Sequence, residues 1–264
     1  MALIQDVGVT LRRLDFAEHS QVMVFFAREH GQVRAIAKGI KRSTKTRFAT
    51  GIDLLEVGDM VLSVRQPRQE ALAILTEWKP RRALAGLREK LARLYAGQYA
   101  AEITAALTAD WDPHPSLYDG LLSALDQLCG AEAVLGPIVA YQRVLLRQIG
   151  SWPEFEVCVA CRRPPTTHGE LWFSSFEGGL LCRDCEAGFA EKRLVDQRAL
   201  SLIREPTGSG CPAFSWEAAF DVLNYHLAHL MGREPLLAPK LAPLGPHAPA
   251  RLPEMGDPEG PTRD

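Results

Sequence analysis

The sequence predicts an α+β protein with more than one domain, in which a small N-terminal β-barrel of the OB-fold type precedes an α-helical domain with an inserted four-cysteine zinc finger. Three observations predict it: short β-rich segments before Pro80, leucines at helical spacing after it, and two C-x2-C pairs between helical segments. The chain has 264 residues, which suits two modest domains. The expected boundaries are 1–80 for the barrel, 81–233 for the helical domain with the finger at 158–185, and 234–264 for a proline-rich, disordered tail.

The N-terminal region consists of β-rich segments separated by turn residues. The candidate strands cover residues 21–27, 32–38, 52–57, 59–64 and 71–76. Arg28-Glu29-His30-Gly31 supplies the turn between the first two, with glycine at its end. About five short strands in one small basic module predict a compact closed barrel such as an OB-fold, although an SH3-like barrel gives much the same local pattern.

The region after Pro80 has the periodicity of amphipathic helices. Apolar residues recur every three or four positions, and prolines stand where new helices are expected to begin, because proline is favoured in the first turn. The expected helices cover residues 84–107, a second from Pro115, a third from Pro137, a fourth at 196–204, and a fifth at 215–231 with Ser215 as N-cap. The apolar stripes of these helices are predicted to form the core.

The most specific chemical pattern is a C-x2-C-x20-C-x2-C array formed by Cys158, Cys161, Cys182 and Cys185. Two such pairs separated by a loop allow four thiolates to converge on one Zn²⁺. Four protein ligands leave no open position for water or substrate, so we expect a structural zinc that does not catalyse. The other two cysteines are isolated, and this usage favours a reducing cytosol over a disulfide scaffold.

Positive charge is concentrated in the N-terminal third. Residues 1–82 contain 14 Lys and Arg against 9 Asp and Glu, although the whole chain has a net charge of −2. The basic loop, residues 38–47, holds five cations, three hydroxyl-bearing residues and no acid. Such a loop suits phosphate contacts, although a solvated charged loop has the same composition. The candidate phosphate-binding residues are Lys38, Lys41, Arg42, Lys45, Arg47, Arg12, Arg13 and Arg34.

Four phenylalanines in the same region are candidates for stacking on nucleobases, namely Phe16, Phe25, Phe26 and Phe48. Aromatic rings beside a positively charged groove are a common way to hold a single strand. Because successive side chains of a strand alternate, Phe25 and Phe26 are expected on opposite faces.

Sequence motifs of enzymes are missing. The chain has no phosphate-binding loop, no G-x-S-x-G elbow and no H-E-x-x-H helix. His168-Gly169-Glu170 followed by Cys182 superficially resembles the signature of zinc deaminases, but Leu181 stands where that signature needs proline. A binding protein without a small-molecule substrate is therefore favoured over a metal-dependent nucleobase enzyme. No apolar run approaches the ~20 residues that span a membrane.

The order of several segments resembles the RecO family of bacterial recombination-mediator proteins over most of residues 8–230. The strongest likeness is carried by residues 8–13, 26–31 and 35–42, and it continues in Asp112-Pro113-His114-Pro115 and in Glu177-Gly178-Gly179-Leu180-Leu181-Cys182. Ala17 stands where the family often has glycine, and the proline-rich tail has no counterpart.

The resemblance implies an OB-fold, a helical domain and a structural zinc finger in a cytoplasmic, nucleoid-associated bacterial protein. It also implies binding of single- and double-stranded DNA, annealing of complementary strands, and partnership with RecR and single-stranded DNA-binding protein to load the recombinase. Arg143 and Arg147 of the third helix are candidate contacts for the acidic tail of single-stranded DNA-binding protein. The alternative is an RNA-binding assembly factor with an OB barrel and a zinc ribbon.

Overall fold

The structure, a computed structural model, describes residues 2–17, 20–38, 52–65, 72–165, 170–206 and 212–242. The expected α+β architecture is confirmed, with a five-stranded barrel first and helices after it. The barrel strands are β1 (Ala2–Ala17), β2 (Ser20–Ala27), β3 (Gly31–Lys38), β4 (Val57–Val64) and β5 (Ala73–Arg82).

The barrel closes in the order β1-β2-β3-β5-β4, and β4 pairs back onto β1. The pairing of β3 with β5 is parallel, whereas the other described pairs of this barrel are antiparallel. Five strands closed through this connectivity form an OB-like barrel. The predicted barrel is therefore confirmed.

The segments that form the five strands differ from those predicted. β1 was not expected, although its 16 residues serve two neighbours, with the N-terminal half paired to β4 and the C-terminal half to β2. Residues 52–57 were expected to be a strand, and this expectation is wrong for 52–56. They form an irregular turn in which Leu55 has φ 63, a left-handed conformation that no regular strand contains.

The barrel has a covered outer face as well as a filled interior. Phe25 points into the barrel and stacks on Trp78, with ring centroids 5.2 Å apart. Phe26 points outward and packs in the core of the helical domain, where its ring lies 6.4 Å from that of Tyr118. Two hydrophobic cores therefore meet across β2.

The end of the barrel is closed by Trp111, which belongs to the linker between the first two helices and packs against the interior residues. Its backbone N–H donates to the carbonyl of Gln32 at 2.9 Å. The linker passes so close to Gly31 that a Cβ there would lie 1.9 Å from the carbonyl oxygen of Asp112. Gly31 has φ 68, so glycine satisfies both the close approach and the backbone conformation.

The helices follow the predicted periodicity, except that the first begins at Leu91 and not at residue 84, because Leu84 has φ 42 and Ala85–Arg88 form a separate 3-10 turn. They are α1 (Leu91–Leu107), α2 (Pro115–Gly130), α3 (Leu135–Gln148), α4 (Gln197–Arg204), α5 (Ala213–Met231) and α6 (Ala238–Leu241). Pro115 opens α2 and Asp196 caps α4, with its side chain accepting from two backbone N–H groups. The prediction of Ser215 as the N-cap of α5 is wrong, because the helix begins two residues earlier and Ser215 is buried inside it. None of the described helices is long and apolar enough to cross a membrane.

A second sheet carries the cysteine pairs. It contains β6 (Glu154–Cys158), β7 (Leu171–Ser174), β8 (Gly179–Cys182) and β9 (Arg193–Val195), in the order β6-β8-β7-β9. One face of this sheet packs on α5. His226 of α5 lies 2.8 Å from the Ser175 hydroxyl through Nδ1 and 3.0 Å from the Ser151 carbonyl through Nε2.

The beginning of the expected disordered tail is ordered. Ala238 and Leu241 of α6 are buried in the main core, because α6 packs its apolar side against α1. Glu102 of α1 accepts from the backbone N–H of Leu236 at 3.0 Å and pairs with Arg233 at 2.7 Å. The prediction was therefore wrong for residues 234–242, and residues 243–264 lie outside the described part of the chain.

Candidate metal centre and nucleic-acid interface

The four cysteines of the C-x2-C pairs converge on one point. The Sγ atoms of Cys158, Cys161, Cys182 and Cys185 all lie within 4.8 Å of one another. The Sγ atoms of Cys161 and Cys182 are 3.8 Å apart. A tetrahedral metal with bonds of about 2.3 Å to sulfur has sulfur–sulfur edges of about 3.8 Å, whereas a disulfide needs about 2.05 Å. The cluster therefore has the dimensions of a metal site.

Each cysteine pair spans the end of a strand and the turn that follows it. Cys158 ends β6, and the turn to Cys161 is closed by the N–H of Arg162, which donates to the carbonyl of Cys158 at 2.8 Å. Cys182 ends β8, and the N–H of Cys185 donates to its carbonyl at 3.0 Å. The pairing within the second sheet brings both turns to the same edge, so the sheet positions the ligands.

The surroundings favour the thiolate form at two of the four cysteines, Cys158 and Cys161. The backbone N–H of Arg163, followed by its guanidinium, lowers the pKa of Cys161 to about 6. Burial opposes ionisation of Cys158, but N–H groups of Cys161 and Cys182 outweigh it and lower the pKa of Cys158. The neighbouring Cys182 raises the pKa of Cys185 to about 12. Neighbouring thiolates repel one another electrostatically, and a divalent cation bound among them offsets this repulsion.

The structure does not support the alternative interpretation of these residues as a deaminase site. Cys182 and Cys185 share their cluster with Cys158 and Cys161, whereas a deaminase needs an open ligand position for an activated water. His168, the remaining member of that pattern, lies outside the described residues. Within the described part of the chain, the four cysteines are the one group of three or more side chains placed to hold a metal.

Half of the predicted phosphate-binding residues lie outside the described part of the chain. These are Lys41, Arg42, Lys45 and Arg47, together with Phe48 of the predicted stacking set. Lys38 is the last residue of β3 and is exposed. The remaining three arginines lie on β1 and β3, where their positions relative to the barrel can be compared.

Arg12 and Arg34 lie on one outer row of the barrel. Arg12 is paired with Val24 across β1 and β2, and Val24 with Arg34 across β2 and β3. The next row carries three apolar side chains, Leu14, Val22 and Ile36, and Ile74 of β5 continues it. The outer face of β1-β2-β3 thus presents two cations beside an apolar strip, of which Leu14 is 59% exposed.

A groove of about 460 Å³ runs over this face and is named the barrel groove. Arg12, Arg34, Leu14 and Leu72 line it from the barrel, and Asp110 and Trp111 close it from the linker. Arg34 Nε lies 3.1 Å from Asp110 Oδ2, whereas Arg12 has no ion-pair partner among the described residues. Among the described residues, the barrel groove therefore combines one cation without an ion-pair partner, one paired cation and an apolar floor.

Arg13 does not join Arg12 in the barrel groove. Its guanidinium lies 3.2 Å from Asp53, and Arg88 shares the same carboxylate at 3.0 Å. Neighbouring residues of a strand point to opposite faces, so the side chains of Arg12 and Arg13 lie on opposite faces of β1. Arg13 and Arg88 share the carboxylate of Asp53, so Arg13 is a weaker candidate for phosphate binding than the sequence indicates.

Two of the phenylalanines predicted to stack on nucleobases are buried and cannot contact a base. Phe25 and Phe26 are fully buried, because the barrel interior covers one and the helical core covers the other. Phe16 is 65% exposed and lies near the end of β1, two residues beyond Leu14. The prediction was therefore wrong for Phe25 and Phe26, and Phe16 is the exposed ring among the three that the structure describes.

Arg143 and Arg147 lie together on α3, next to Trp152. Their guanidinium carbons are 5.8 and 4.7 Å from the centroid of the Trp152 ring, within the range of cation–π contacts. Arg143 also donates to the carbonyl of Arg204, and burial followed by the charge of Arg147 lowers its pKa. Arg147 is exposed, so it is the more accessible member of the pair.

Sequence reasoning missed eight of the ten residues that line the barrel groove, among them Leu14, Leu72, Gln32 and Asp110. Leu14 carried a usable signal, because a leucine between Arg13 and Asp15 indicates an exposed strand face, whereas Leu72 carried none, because it stands between two alanines. Asp110 carried none, since only the packing of the linker on β3 brings it to Arg34.

The fold and the sites define a class of protein that joins an OB-like barrel to a helical domain with an inserted four-cysteine finger. The sequence profile described as "Recombination protein O N terminal" matches residues 1–83, and "Recombination protein O C terminal" matches residues 88–238. Together these matches cover most of the chain, and they meet where the barrel gives way to the helices.

Individual relatives agree with this assignment. The chain is 33% identical over 200 residues to the DNA repair protein RecO of Rhodopirellula baltica, an alignment that covers 75% of this chain and 73% of the relative. It is 30% identical over 251 residues to the protein of the same name from Rubrobacter xylanophilus, covering 90% and 97%. In Anaeromyxobacter sp. strain K the identity is 27%, with 93% and 98% covered. The chain belongs to the RecO family of DNA repair proteins.

Proposed function

We propose that this protein is a non-enzymatic recombination mediator that binds single- and double-stranded DNA through the outer face of β1-β2-β3. The observation that carries the proposal is the barrel groove, in which Arg12 and Arg34 border an exposed apolar strip. Cations neutralise phosphates, and an apolar strip receives the flat faces of bases without regard to sequence. Annealing of complementary strands requires this tolerance, because every sequence must be held in the same way.

The basic loop, residues 38–47, completes the proposed site. Lys38 is the last residue of β3 and follows Ile36 of the apolar strip by two positions, so the described end of the basic loop lies next to that strip. Arg12, Arg34 and Lys38 mark the described part of the cationic rim, with Lys41, Arg42, Lys45 and Arg47 proposed to extend it and Arg13 as a weaker member. Neutralising several phosphates makes binding strongly dependent on salt.

The test is the salt dependence of binding to a fluorescein-labelled oligo(dT). Replacing Arg12 and Arg34 with alanine together is expected to reduce the slope of log K against log salt by about 0.7 to 1.4, since each phosphate contact contributes ~0.7 on single strands and Arg34 is already paired with Asp110. Arg81→Ala is the matched control, because Arg81 is exposed on β5 and paired with Asp59 at 2.8 Å, outside the barrel groove. Equal slopes for all three proteins would remove the barrel groove from the site.

Zinc is the metal that we propose for the four-cysteine cluster. Four thiolates in a tetrahedral arrangement are the donor set of structural zinc sites, and such a site has no position left for substrate. When bound, the ion supplies a cross-link between the ends of β6 and β8. The finger then acts as a rigid support for the helical domain, and the DNA contacts lie elsewhere.

The acidic tail of single-stranded DNA-binding protein is proposed to bind at Arg147, with Arg143 and Trp152 beside it. A cation over an indole ring offers a charge and an apolar surface to a peptide that carries both acidic and apolar residues. Arg147→Ala is expected to weaken binding of a tail peptide at least five-fold, whereas Arg162→Ala, an exposed arginine of the finger, leaves it unchanged. Equal losses for both variants would show only a general charge effect.

The mediator role and the partnership with RecR rest on the family assignment. If the barrel binds DNA and α3 binds single-stranded DNA-binding protein, one chain holds both molecules at once. Displacing single-stranded DNA-binding protein from DNA during recombinase loading requires such simultaneous binding. A strand-annealing assay on DNA coated with single-stranded DNA-binding protein, run with and without RecR, tests this role. Annealing of bare DNA alone would limit the function to simple DNA binding.

A further inference from the structure

Asp110 places a negative charge inside the barrel groove. Its Oδ2 lies 3.1 Å from Arg34 Nε, and its Oδ1 accepts a hydrogen bond from Gln32 Nε2 at 2.8 Å. The side chain of Asp110 is 30% exposed and that of Arg34 is 58% exposed, so the pair lies at the border between protein and solvent. A phosphate approaching Arg34 therefore meets a cation that already has an anionic partner.

The backbone fixes Asp110 in this position. The linker that carries it pairs with β3 through Gln32, and the N–H of Trp111 donates to the Gln32 carbonyl at 2.9 Å. Trp111 has φ 62, which is unusual for a bulky side chain and persists only where the surrounding contacts enforce it. Gly31 allows the linker to pass directly over it. Asp110 is thus held at Arg34 by the fold.

The other arginine of the barrel groove has no such partner in the part of the chain that the structure describes. Arg12 lies on the same row as Arg34, separated from it by Val24, and no carboxylate of the described residues pairs with it. Pairing of Arg34 is therefore a local property of that position.

We propose that Asp110 is an internal competitor for the phosphate site at Arg34, so that DNA must displace its carboxylate to make this contact. The inference rests on the proposed function of the barrel groove. A phosphate at Arg12 adds a new ion pair, whereas a phosphate at Arg34 exchanges one anion for another and stabilises the complex less. Because Asp110 belongs to the linker between α1 and α2, occupation of Arg34 also releases one of the contacts that hold this linker on the barrel.

The test compares Asp110→Asn with Asp112→Asn in binding of fluorescein-labelled oligo(dT). Asparagine keeps an oxygen to accept from Gln32 and removes the charge, and the control removes the same charge from an exposed residue of the same linker that has no arginine partner among the described residues. Asp110→Asn is expected to tighten binding about two- to five-fold beyond the control, the range of a partly exposed ion pair. Its salt slope is expected to be steeper by up to ~0.7, one additional contact.

Arg34→Gln separates this inference from the proposed function. If Arg34→Gln weakens binding, and Asp110→Asn tightens binding beyond Asp112→Asn in the parent protein but not in the Arg34→Gln background, both stand. If Arg34→Gln weakens binding but Asp110→Asn matches Asp112→Asn, the competitor role of Asp110 is wrong and the DNA site remains. If Arg34→Gln leaves binding unchanged, the site itself is wrong. Should thermal melting show that Asp110→Asn is poorly folded, Asp110→Ser provides a second uncharged variant for the same comparison.

Discussion

Phe25 and Phe26 are adjacent in β2 and belong to different hydrophobic cores: Phe25 stacks on Trp78 inside the barrel, and Phe26 packs beside Tyr118 in the helical core. Both side chains are fully buried, so β2 is covered on its two faces at this point. The strand is consequently the place where the barrel and the helical domain are joined by packing. The partly exposed side chain of Val22, earlier in the same strand, lines the barrel groove.

Phe25→Leu and Phe26→Leu are each expected to lower the free energy of unfolding by about 1–2 kcal/mol, since each loses part of a fully buried ring. Because the two rings share no core, the double variant is expected to equal the sum within about 0.5 kcal/mol. Urea denaturation measures all three, and Phe16→Leu, at an exposed position of β1, serves as the neutral control. Coupling well above that margin would mean that the two cores are one.

Gly31→Ala is expected to destabilise the protein by more than about 2 kcal/mol, because alanine is strained at φ 68 and its Cβ would meet the backbone of Asp112. Gly130→Ala is the matched control, since a Cβ at the end of α2 meets nothing within 4 Å. That substitution is expected to be neutral or to stabilise slightly. Thermal melting compares the stability of the two variants. Similar melting temperatures for Gly31→Ala and Gly130→Ala would contradict the close contact between linker and barrel.

Cys182→Ser is expected to abolish binding of one zinc per chain and to unfold the finger, with little change in affinity for oligo(dT). Metal analysis and X-ray absorption measure the first effect, with four sulfur ligands expected in the parent protein. Cys129→Ser retains the metal, because Cys129 lies outside the cluster. Loss of DNA binding in a variant whose finger remains folded would assign the cluster a direct role that its position does not provide.

Asp221 of α5 is expected to make stability depend on pH. Burial raises the pKa of its carboxyl from 3.8 to about 6, so the folded chain retains a proton between these values that the unfolded chain releases. Stability therefore falls as the pH rises through this window, and the loss persists above it. Asp221→Asn is expected to stabilise the protein by about 1 kcal/mol at pH 7, a value reduced because the side chain is half-buried, and by nothing below pH 4. Melting curves at both pH values test this, and a gain of equal size at both would exclude ionisation as its cause.

The sequence predicted most of the helices and the convergence of the four cysteines, for a physical reason. The apolar stripe of α2, from Leu117 to Leu128, is repeated over several turns and lies wholly in one core, so its local pattern and its environment agree. The spacing of the four cysteines likewise reflects the two turns that hold them, which are local structures. Such features need no information from distant parts of the chain.

Features that depend on distant contacts were not predictable in this way. The turn at Ile52 and Leu55 has the composition of a strand because its apolar side chains fill two cores, and β1 was missed because part of its apolar surface faces solvent. Burial of Phe26 follows from helices that come much later in the chain. The pairing of Arg34 with Asp110 joins residues 76 positions apart.

The most direct test of the central proposal, that DNA lies on the outer face of β1-β2-β3, is photocrosslinking to a single strand that contains 5-iodouracil, followed by mass spectrometry of the peptides. We expect the crosslinks to fall on peptides containing Leu14, Phe16 and the rim residue Lys38, with Phe16 as the favoured aromatic acceptor. Crosslinks confined to the face of β4 and β5 around Glu77, or to the finger, would contradict the proposal.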